Sequence, residues 1–351
     1  MRGVTVEKPG AKLEVRSDLE VPEPSDTQIL IKSIYAAINP GDVFMADFGI
    51  LVVDWPLVPG CDAGGVVIKA GKDAVNPLGV QFKEGDEVCG CTRLGSKGYS
   101  PWQEYFLMDA AVTIPKPSNI DLAQASTTGV GVLTAFLGVF DCLKIPLVDP
   151  DNLPSPKNEW ALVFGGASSV GKFAVQTLKA CGYKVVTTCS AKSVDLLKSL
   201  GADVTIDYKK TEAEIVEETK SVTSGELNLV MDAVSVNNAL ATAIYAALTP
   251  TSSSDRLYTT TNGWDPLPNG SAGFTSTPIM LGPIGRPDAV ELNAKLNKYI
   301  PVIVKLLEAG KLRVGSYMVE GEGVEGIEKA WALQKSGKAG SEKVLVKIGS
   351  A

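Results

Sequence analysis

The sequence contains no histidine among its 351 residues. Histidine is the most frequent general base of enzymes and the commonest protein ligand of metal ions. Its absence excludes every Ser-His-Asp and Cys-His catalytic arrangement. Any enzymatic reaction of this chain must therefore proceed without imidazole.

The six cysteines lack the spacing of a metal or redox site. No C-x-x-C pair occurs, and only Cys89 and Cys91 lie close together in the sequence. A structural zinc site usually needs four nitrogen or sulfur ligands. We therefore expect that the protein binds no metal and that its cysteines act as small apolar side chains.

Positive charge and long apolar runs are also scarce. The formal net charge is −7, the pI is about 5.0, and no basic cluster of the kind that binds nucleic acid or anionic membranes occurs. The longest apolar segment, residues 129–140, is shorter than the ~18 residues that indicate a membrane span. The first residues do not resemble a signal peptide, so Asn269-Gly-Ser271, a glycosylation acceptor by sequence, indicates a surface turn. We expect a cytoplasmic protein that acts on small molecules.

One stretch has the pattern of a phosphate-binding loop. Residues 160–164 form an apolar run typical of a buried strand, and helical periodicity follows over residues 168–181. The loop between them matches the dinucleotide fingerprint G-x-G-x-x-G only as Gly166-Ala-Ser168-Ser-Val-Gly171, with serine at the second glycine. Backbone amides at the start of such a helix bind pyrophosphate without a basic side chain. The alternative is a small-residue turn that only packs a helix on a sheet.

The order of the patterns predicts two domains of different kinds. Residues 1–125 contain short apolar runs separated by proline and glycine, which indicates a compact, barrel-like β domain. From about residue 128, strand and helix patterns alternate as in a doubly wound parallel sheet. Residues 261–288 are predicted to be loops, followed by a long helix at 289–310 and a last strand at 343–348.

Six motifs, in the right order over nearly the whole chain, resemble the medium-chain dehydrogenase/reductase superfamily. They are Asn39-Pro-Gly-Asp42, Val58–Val67, Phe82–Val88, Gly129–Ala135, Gly165–Gly171, and Leu200–Asp203 with Asp207-Tyr208. Two of them, Gly129–Ala135 and Gly165–Gly171, are most similar to the zinc-free fungal branch that includes the trans-acting enoyl reductases of polyketide pathways. The resemblance implies an α/β protein. Residues 1–127 and 287–351 would form a GroES-like β-barrel catalytic domain, residues 128–286 a Rossmann domain, and the cofactor would lie between them.

This chain differs from the zinc-dependent members of the superfamily at both of their zinc sites. Zinc-dependent members carry Gly-His-Glu where this chain has Gly60-Cys61-Asp62, and they carry a four-cysteine lobe that is missing here. Neither zinc site is therefore expected. This agrees with the missing histidine.

The residues after the second strand of the predicted Rossmann domain indicate NADPH. An NAD site places Asp or Glu there, ~20 residues past the glycines, to bind the ribose 2′-OH. This chain has Ser190 and Lys192 instead, which favours a 2′-phosphate, and the resemblance adds Tyr208 as a phosphate-binding residue. Lys192 as an ordinary solvated lysine is the alternative. The other residues predicted to bind the cofactor, the last four by resemblance alone, are Gly165, Gly166, Ser168, Ser169, Val170, Val234, Ser235, Gly282 and Lys343.

The missing zinc also bears on the reaction. A metal-free site lacks the usual Lewis acid that stabilises an alkoxide. Reduction of an activated carbon–carbon double bond instead places charge on a carbonyl oxygen, which one neutral donor can stabilise. We therefore expect an NADPH-dependent reductase of an enoyl, enone or quinone compound, and the resemblance implies a role in fungal secondary metabolism. The alternatives are a quinone oxidoreductase for detoxification, a scaffold that binds without turnover, and a non-redox enzyme of the same fold.

The resemblance names Thr134, Asn39 and Asp42 as candidate catalytic residues. Thr134 matches a threonine near the nicotinamide and substrate, and Asn39 and Asp42 form the Asn-Pro-x-Asp turn of the family. A hydrogen bond from Thr134 to the backbone of its own helix is the alternative.

The substrate is left open by one departure from the family pattern. Polyketide enoyl reductases have lysine after Asn-Pro-Ser-Asp-Thr, where this chain has Phe44, and this puts a carrier-bound polyketide substrate in doubt. Aromatic and apolar neighbours could pack a flat or hydrophobic ligand, or belong to the core. These candidates are Phe44, Met45 and Trp55. The sequence is compatible with a monomer and with a homodimer.

Overall fold

The structure, a computed structural model, describes residues 1–248, 255–268 and 273–350. The chain divides into two compact units. The first unit comprises residues 1–130 and 281–309 and the chain from residue 314 onward, and the second comprises residues 131–280 and 310–313. Residues 281–286, expected in the Rossmann domain, thus belong to the first unit. The motif Asn269–Ser271 lies outside the described residues.

Strands and helices are numbered here in chain order. The strands are β1 (Gly3–Thr5), β2 (Glu14–Arg16), β3 (Gln28–Ala37), β4 (Asp62–Ala70), β5 (Glu87–Cys91), β6 (Tyr105–Asp109), β7 (Ile114–Pro115), β8 (Trp160–Phe164), β9 (Lys184–Cys189), β10 (Val204–Asp207), β11 (Leu229–Asp232), β12 (Leu257–Thr260), β13 (Thr275–Pro278), β14 (Tyr317–Glu322) and β15 (Lys343–Lys347). The helices are α1 (Pro40–Phe48), α2 (Leu122–Ala125), α3 (Gly129–Phe136), α4 (Ser169–Ala180), α5 (Val194–Ser199), α6 (Glu212–Thr223), α7 (Asn238–Ala247), α8 (Val290–Glu308) and α9 (Ile327–Ser336).

The first unit is built on a sheet with the order β14-β15-β3-β4-β5-β7, and β6 also pairs with β3. The pairs are antiparallel except for β14 with β15. Alternate residues of β3, such as Ile29 and Ile31, pack in one core cluster with Val67 and Phe106. A second cluster brings Trp102 of the N-terminal part against helix α9 and strand β15. The predicted β domain, completed by the C-terminal part of the chain, is therefore confirmed.

The second unit contains a parallel sheet with the order β10-β9-β8-β11-β12-β13. Strands and helices alternate along the chain from β8 to β12. Leu162 and Phe164 of β8 and Val230 of β11 are fully buried, as expected for central strands of a sheet that is covered on both faces. The predicted Rossmann-type sheet is confirmed.

Two local predictions were wrong. Residues 261–288 were expected to be loops, but Thr275–Pro278 forms the edge strand β13. This edge strand is polar and only partly buried, so it carries no apolar run. Asn39-Pro-Gly-Asp42 was expected to be a turn, but these residues begin helix α1, with Asn39 as the N-cap and proline in the first turn. No described helix is both long and apolar enough to cross a membrane.

Candidate functional site

The loop between β8 and α4 can be built only with glycine at its ends. Gly165 has φ = +71°, and a Cβ there would lie 2.3 Å from a methyl carbon of Val234. A Cβ on Gly171 would lie 2.2 Å from the carbonyl oxygen of Gly165. These two positions leave no space for a larger residue, because the loop closes against itself and against Val234.

Hydrogen bonds hold this loop in a shape that presents backbone amides. Ser168 is the N-cap of α4, and its hydroxyl accepts from the Gly171 amide at 2.9 Å. The Gly165 amide donates to the hydroxyl of Thr188 on β9 at 2.9 Å. The amides of Ser169 and Val170 lie in the first turn of α4, where the helix itself offers no acceptor. They form the kind of site that binds a phosphate.

A buried carboxylate fixes the neighbouring loop after β11. Asp232 accepts hydrogen bonds from the backbone amides of Val234 at 3.0 Å and Asn237 at 2.8 Å. Ser235 has φ = +66°, and its hydroxyl lies 2.5 Å from the hydroxyl of Thr261. Val234 and Gly165, both predicted to bind the cofactor, lie directly against each other. Asp232 was missed, although a carboxylate at the end of a buried strand was a signal for it.

Residues predicted for the adenosine end lie after β9 and β10. The two strands are parallel, with Cys189 opposite Asp207, so Ser190 and Tyr208 follow paired positions. The Tyr208 side chain is 57% exposed, and Lys192 is exposed as well. Within the described part of the chain, Lys192 makes no ion pair. Ser190 and Tyr208 thus follow neighbouring strand ends, and the lysine and the tyrosine are accessible.

The first unit contains a buried cluster of polar side chains, which we call the polar cluster: Asn39, Asp42, Cys61, Asp62 and Lys343. Asn39, Asp42, Asp62 and Lys343 are each at most 5% exposed. The Lys343 ammonium donates to Asp62 Oδ2 at 2.9 Å and to Asn39 Oδ1. Lys343 was predicted to line the cofactor site, and the structure shows its ammonium bonded to these two residues.

Asp42 caps helix α1 from inside the polar cluster. Its Oδ2 accepts from the Asn39 amide at 2.7 Å, and its Oδ1 accepts from the Cys61 thiol at 3.1 Å. Burial raises the pKa of Asp42 to about 7, although these two hydrogen bonds lower it. The structure therefore gives this candidate catalytic carboxyl group a capping role.

Asp62 links the polar cluster to the beginning of α3. Its Oδ1 accepts from the Val130 amide at 2.6 Å. A Cβ on Gly129 would lie 2.2 Å from that oxygen, so glycine is needed for this approach. The glycine-rich start of the motif is explained by this contact.

The Thr134 hydroxyl on α3 differs in its hydrogen bonding from the hydroxyls of the three preceding Ser and Thr residues. Ser126, Thr127 and Thr128 each donate to a carbonyl oxygen three or four residues earlier. In the part of the chain that the structure describes, Thr134 makes no such bond to its own helix, although the residue is only 6% exposed. The alternative of a helix-bonded hydroxyl does not apply.

The predicted substrate residues have unequal exposure. Met45 is 1% exposed and belongs to the core, whereas Trp55 is 37% exposed. The Phe44 ring is partly buried, 6.4 Å from the ring of Phe48. Gly282 lies in the first unit, where a Cβ would be 2.8 Å from a methyl carbon of Leu51. Of the three substrate candidates, Phe44 and Trp55 thus retain accessible surface.

The chain matches two known families in the regions of these sites. Residues 25–118 match the alcohol dehydrogenase GroES-like domain, and residues 169–250 match the family described as zinc-binding dehydrogenase. Trans-enoyl reductase TOXD of Cochliobolus carbonum is 32% identical over 231 residues, which cover 63% of this chain and 71% of that protein. The chain belongs to the medium-chain dehydrogenase/reductase superfamily. The predicted family and fold class are both confirmed.

Other members of the superfamily match over nearly the whole chain. Trans-enoyl reductase buaC of Petromyces alliaceus is 26% identical over 358 residues, covering 96% of this chain and 94% of that protein. The crystal structure of an alcohol dehydrogenase superfamily protein from Novosphingobium aromaticivorans has a TM-score of 0.78 at 20% identity, covering 99% of this chain and 100% of the other. CurK enoyl reductase has a TM-score of 0.76 at 20% identity, with 99% of both chains covered. These two structures show that the fold is shared.

The side chains present do not fit the zinc ion that one family description implies. The sequence has no histidine, and among the described residues no group of three or more Cys, Asp or Glu side chains could hold a metal ion. At the position of the zinc motif, Cys61 donates to Asp42, and Asp62 accepts from Lys343 and Val130. We therefore derive no step of a reaction through zinc.

Proposed function

We propose that this medium-chain dehydrogenase/reductase is an NADPH-dependent reductase of activated carbon–carbon double bonds. The proposal depends above all on the contact of Lys343 with Asn39 and Asp62, because it places a protein cation beside residues 60–62, where zinc-dependent members carry Gly-His-Glu. A chain without a metal Lewis acid is better suited to a delocalised enolate than to a localised alkoxide. The names of TOXD and buaC, both trans-enoyl reductases, support this class of reaction.

The second unit offers the groups that would hold the cofactor. The amides of Ser169 and Val170 would bind the pyrophosphate, and the glycines at 165 and 171 would let it approach the backbone. Ser190, Lys192 and Tyr208 would bind the 2′-phosphate, which is why we propose NADPH and not NADH. When bound, the cofactor supplies hydride to the β-carbon of a conjugated carbonyl compound.

Thr134 would stabilise the charge that forms on the substrate. In the described residues its hydroxyl makes no hydrogen bond to its own helix, so it can donate to the carbonyl oxygen of an enoyl, enone or quinone compound. One such donor in a preorganised site contributes about 3 to 4 kcal/mol to transition-state stabilisation. We further propose a cytoplasmic enzyme, monomeric or homodimeric, in which Phe44 and Trp55 contact an apolar substrate; a carrier-bound polyketide intermediate remains one candidate.

The test is a reduction assay with NADPH deuterated at the transferred position. A panel of enones, quinones and enoyl thioesters is offered, and the product is analysed by NMR and mass spectrometry. Label on the β-carbon of a conjugated carbonyl compound is expected. Label on a carbinol carbon would mean carbonyl reduction, and no NADPH consumption with any substrate would favour a binding protein. Preference for quinones over enoyl thioesters would identify the detoxifying alternative.

A further inference from the structure

The polar cluster of the first unit contains one positive group, the Lys343 ammonium, which contacts Asp62. Asp62 belongs to residues 60–62, at which zinc-dependent members of the superfamily carry Gly-His-Glu. We propose that the Lys343 ammonium is the fixed internal cation of the polar cluster, in place of a metal ion, and that it positions the Asn39 carboxamide. This role differs from the cofactor contact predicted for Lys343 from the sequence.

The Lys343 ammonium pairs with the Asp62 carboxylate without a metal. The Lys343 ammonium is 2.9 Å from Asp62 Oδ2, and both side chains are at most 5% exposed. The Cys61 thiol lies beside this pair and donates a hydrogen bond to Asp42 Oδ1 at 3.1 Å.

The oxygen atoms of the two carboxyl groups are already used. Each oxygen of Asp62 accepts a hydrogen bond, one from Lys343 and one from the Val130 amide. Each oxygen of Asp42 also accepts one, from the Asn39 amide and from the Cys61 thiol. A metal ion entering the cluster would have to compete with these donors for the oxygens of the same two carboxyl groups.

The same lysine fixes which way the Asn39 amide points. An ammonium group has only donors, so it can contact the carboxamide oxygen and not the NH₂ group. Lys343 holds Asn39 Oδ1, and Asn39 Nδ2 lies 3.7 Å from Cys61 Sγ as a donor. Removing the ammonium would remove the charged donor that holds Asn39 Oδ1 and leave the weaker contact with Cys61 to orient the carboxamide. Lys343 is thus a positioning residue that acts through Asn39.

Charge coupling is tested with a double-mutant cycle of Lys343→Met, Asp62→Asn and the double variant. Breaking a buried pair leaves an uncompensated charge, so Lys343→Met should lower Tm by about 10 °C. The double variant should recover at least half of that loss. Lys335→Met is the matched control, because Lys335 pairs with Asp47 at 2.6 Å on the surface, and it should change Tm by less than about 2 °C. A Tm of Lys343→Met equal to that of the wild type, or no recovery in the double variant, would overturn the proposal.

Metal content provides a second readout. After dialysis against Zn²⁺ and then buffer, the wild type should hold no stoichiometric zinc by elemental analysis, and Zn²⁺ should not raise its Tm. About one equivalent of retained zinc would overturn the proposal. If Lys343→Met does not fold, the test uses Lys343→Arg, which keeps the positive charge, and the double variant, which removes both charges. Both should fold if the cluster requires that the charge of Asp62 be paired or absent.

The positioning role is measured by kinetics and rests on the proposed reductase function. The folded double variant should bind NADPH within twofold of the wild type and lose about tenfold in kcat, because Asn39 is no longer oriented. Weaker NADPH binding with unchanged kcat would show instead that Lys343 binds the cofactor, as the sequence predicted. If the wild type itself reduces no substrate, the proposed function fails, while the Tm cycle and the zinc measurement still test the internal cation.

Discussion

The Asp42 carboxyl group, fully buried at the start of α1, should make the stability of the fold depend on pH. Burial, and secondarily the negative charge of Asp62, raise its pKa to about 7, while the Cys61 and Asn39 hydrogen bonds and the Lys343 charge lower it. The usual value in an unfolded chain is about 3.9. The protonated form is therefore favoured by folding, and this stabilisation is complete below about pH 4 and is lost as the pH rises through 7.

The variant Asp42→Asn isolates this effect, because asparagine keeps an oxygen that can accept from the Asn39 amide. We expect the free energy of unfolding of the wild type, relative to the variant, to fall by about 2 kcal/mol between pH 5 and pH 8. Denaturant titrations of both proteins at several pH values measure this difference. Parallel pH curves for the two proteins would show that Asp42 does not titrate in this range.

The Thr134 hydroxyl should matter to the reaction and not to the fold. Thr134→Val keeps the shape of the side chain and removes the donor. We expect kcat/KM for the double-bond substrate to fall roughly 10²- to 10³-fold, with NADPH affinity almost unchanged. Thr128→Val serves as the control, because the Thr128 hydroxyl donates to the carbonyl of Ala125 at 2.7 Å. Equal losses in both variants would mean that Thr134 only packs.

Lys192 should distinguish the two nicotinamide cofactors. If its exposed ammonium binds the 2′-phosphate, Lys192→Ala should weaken NADPH binding by about 1.5 to 3 kcal/mol and leave NADH binding nearly unchanged. Calorimetric titration with each cofactor measures this. A similar loss for NADPH and NADH would assign Lys192 a structural role.

The sequence could predict those site residues that belong to a short, recognisable motif. Gly165, Ser168 and Gly171 belong to one loop, and their spacing alone indicates a helix start that presents amides. The contact of Lys343 with Asn39 joins residues 304 positions apart, and nothing near either residue signals the other. The burial of Met45 could not be predicted either, because an apolar residue next to a motif can belong to a ligand site or to the core.

At the level of the element, the N-cap of α4 should link stability to cofactor binding. The Ser168 hydroxyl accepts from the Gly171 amide and donates to the Ala233 carbonyl at 3.3 Å. Ser168→Ala should cost about 1 kcal/mol of stability, and it should also weaken NADPH binding because the loop loses its shape. Stability from denaturant titration and the Kd for NADPH are measured together.

A cap elsewhere in the same unit provides the comparison. Thr211 caps α6 through the Glu214 amide at 3.3 Å and, among the described residues, makes no hydrogen bond to residues 165–171. Thr211→Ala should reduce stability by a similar amount and leave the Kd for NADPH unchanged. If both variants weaken NADPH binding equally, the Ser168 effect comes from lost stability alone.

Elements with a strong apolar pattern were predicted to within a residue or two, whereas others were missed. The prediction of a strand at 160–164 matches β8, and that of a helix at 168–181 matches α4 closely. Strand β13 is polar on both faces because it lies at the edge of its sheet, so its existence depends on the neighbouring β12. Helix α1 was read as a turn because Asn-Pro-Gly-Asp begins many kinds of structure.

At the level of the whole molecule, metal independence is the property that follows from composition. A chain without histidine, and without a converging set of ligands in its described residues, should not change when metals are removed. Prolonged chelation is expected to leave both Tm and NADPH-dependent activity unchanged. A loss of either that is restored by adding zinc would contradict this.

The position of β15 in the first unit has a consequence for how the chain folds during synthesis. Strand β15, residues 343–347, lies between β14 and β3 in the sheet, so the strand that pairs with residues 35–37 of β3 is made more than 300 residues later. Pairing at such a distance along the chain is slow, because the loop must close before its contacts form. The strands of the second unit are all made within residues 160–278. On the ribosome, the second unit can complete its sheet first. Residues 28–32 of β3 can already pair with β6, but residues 35–37 keep one edge unpaired until β15 is made, and an unpaired edge favours aggregation.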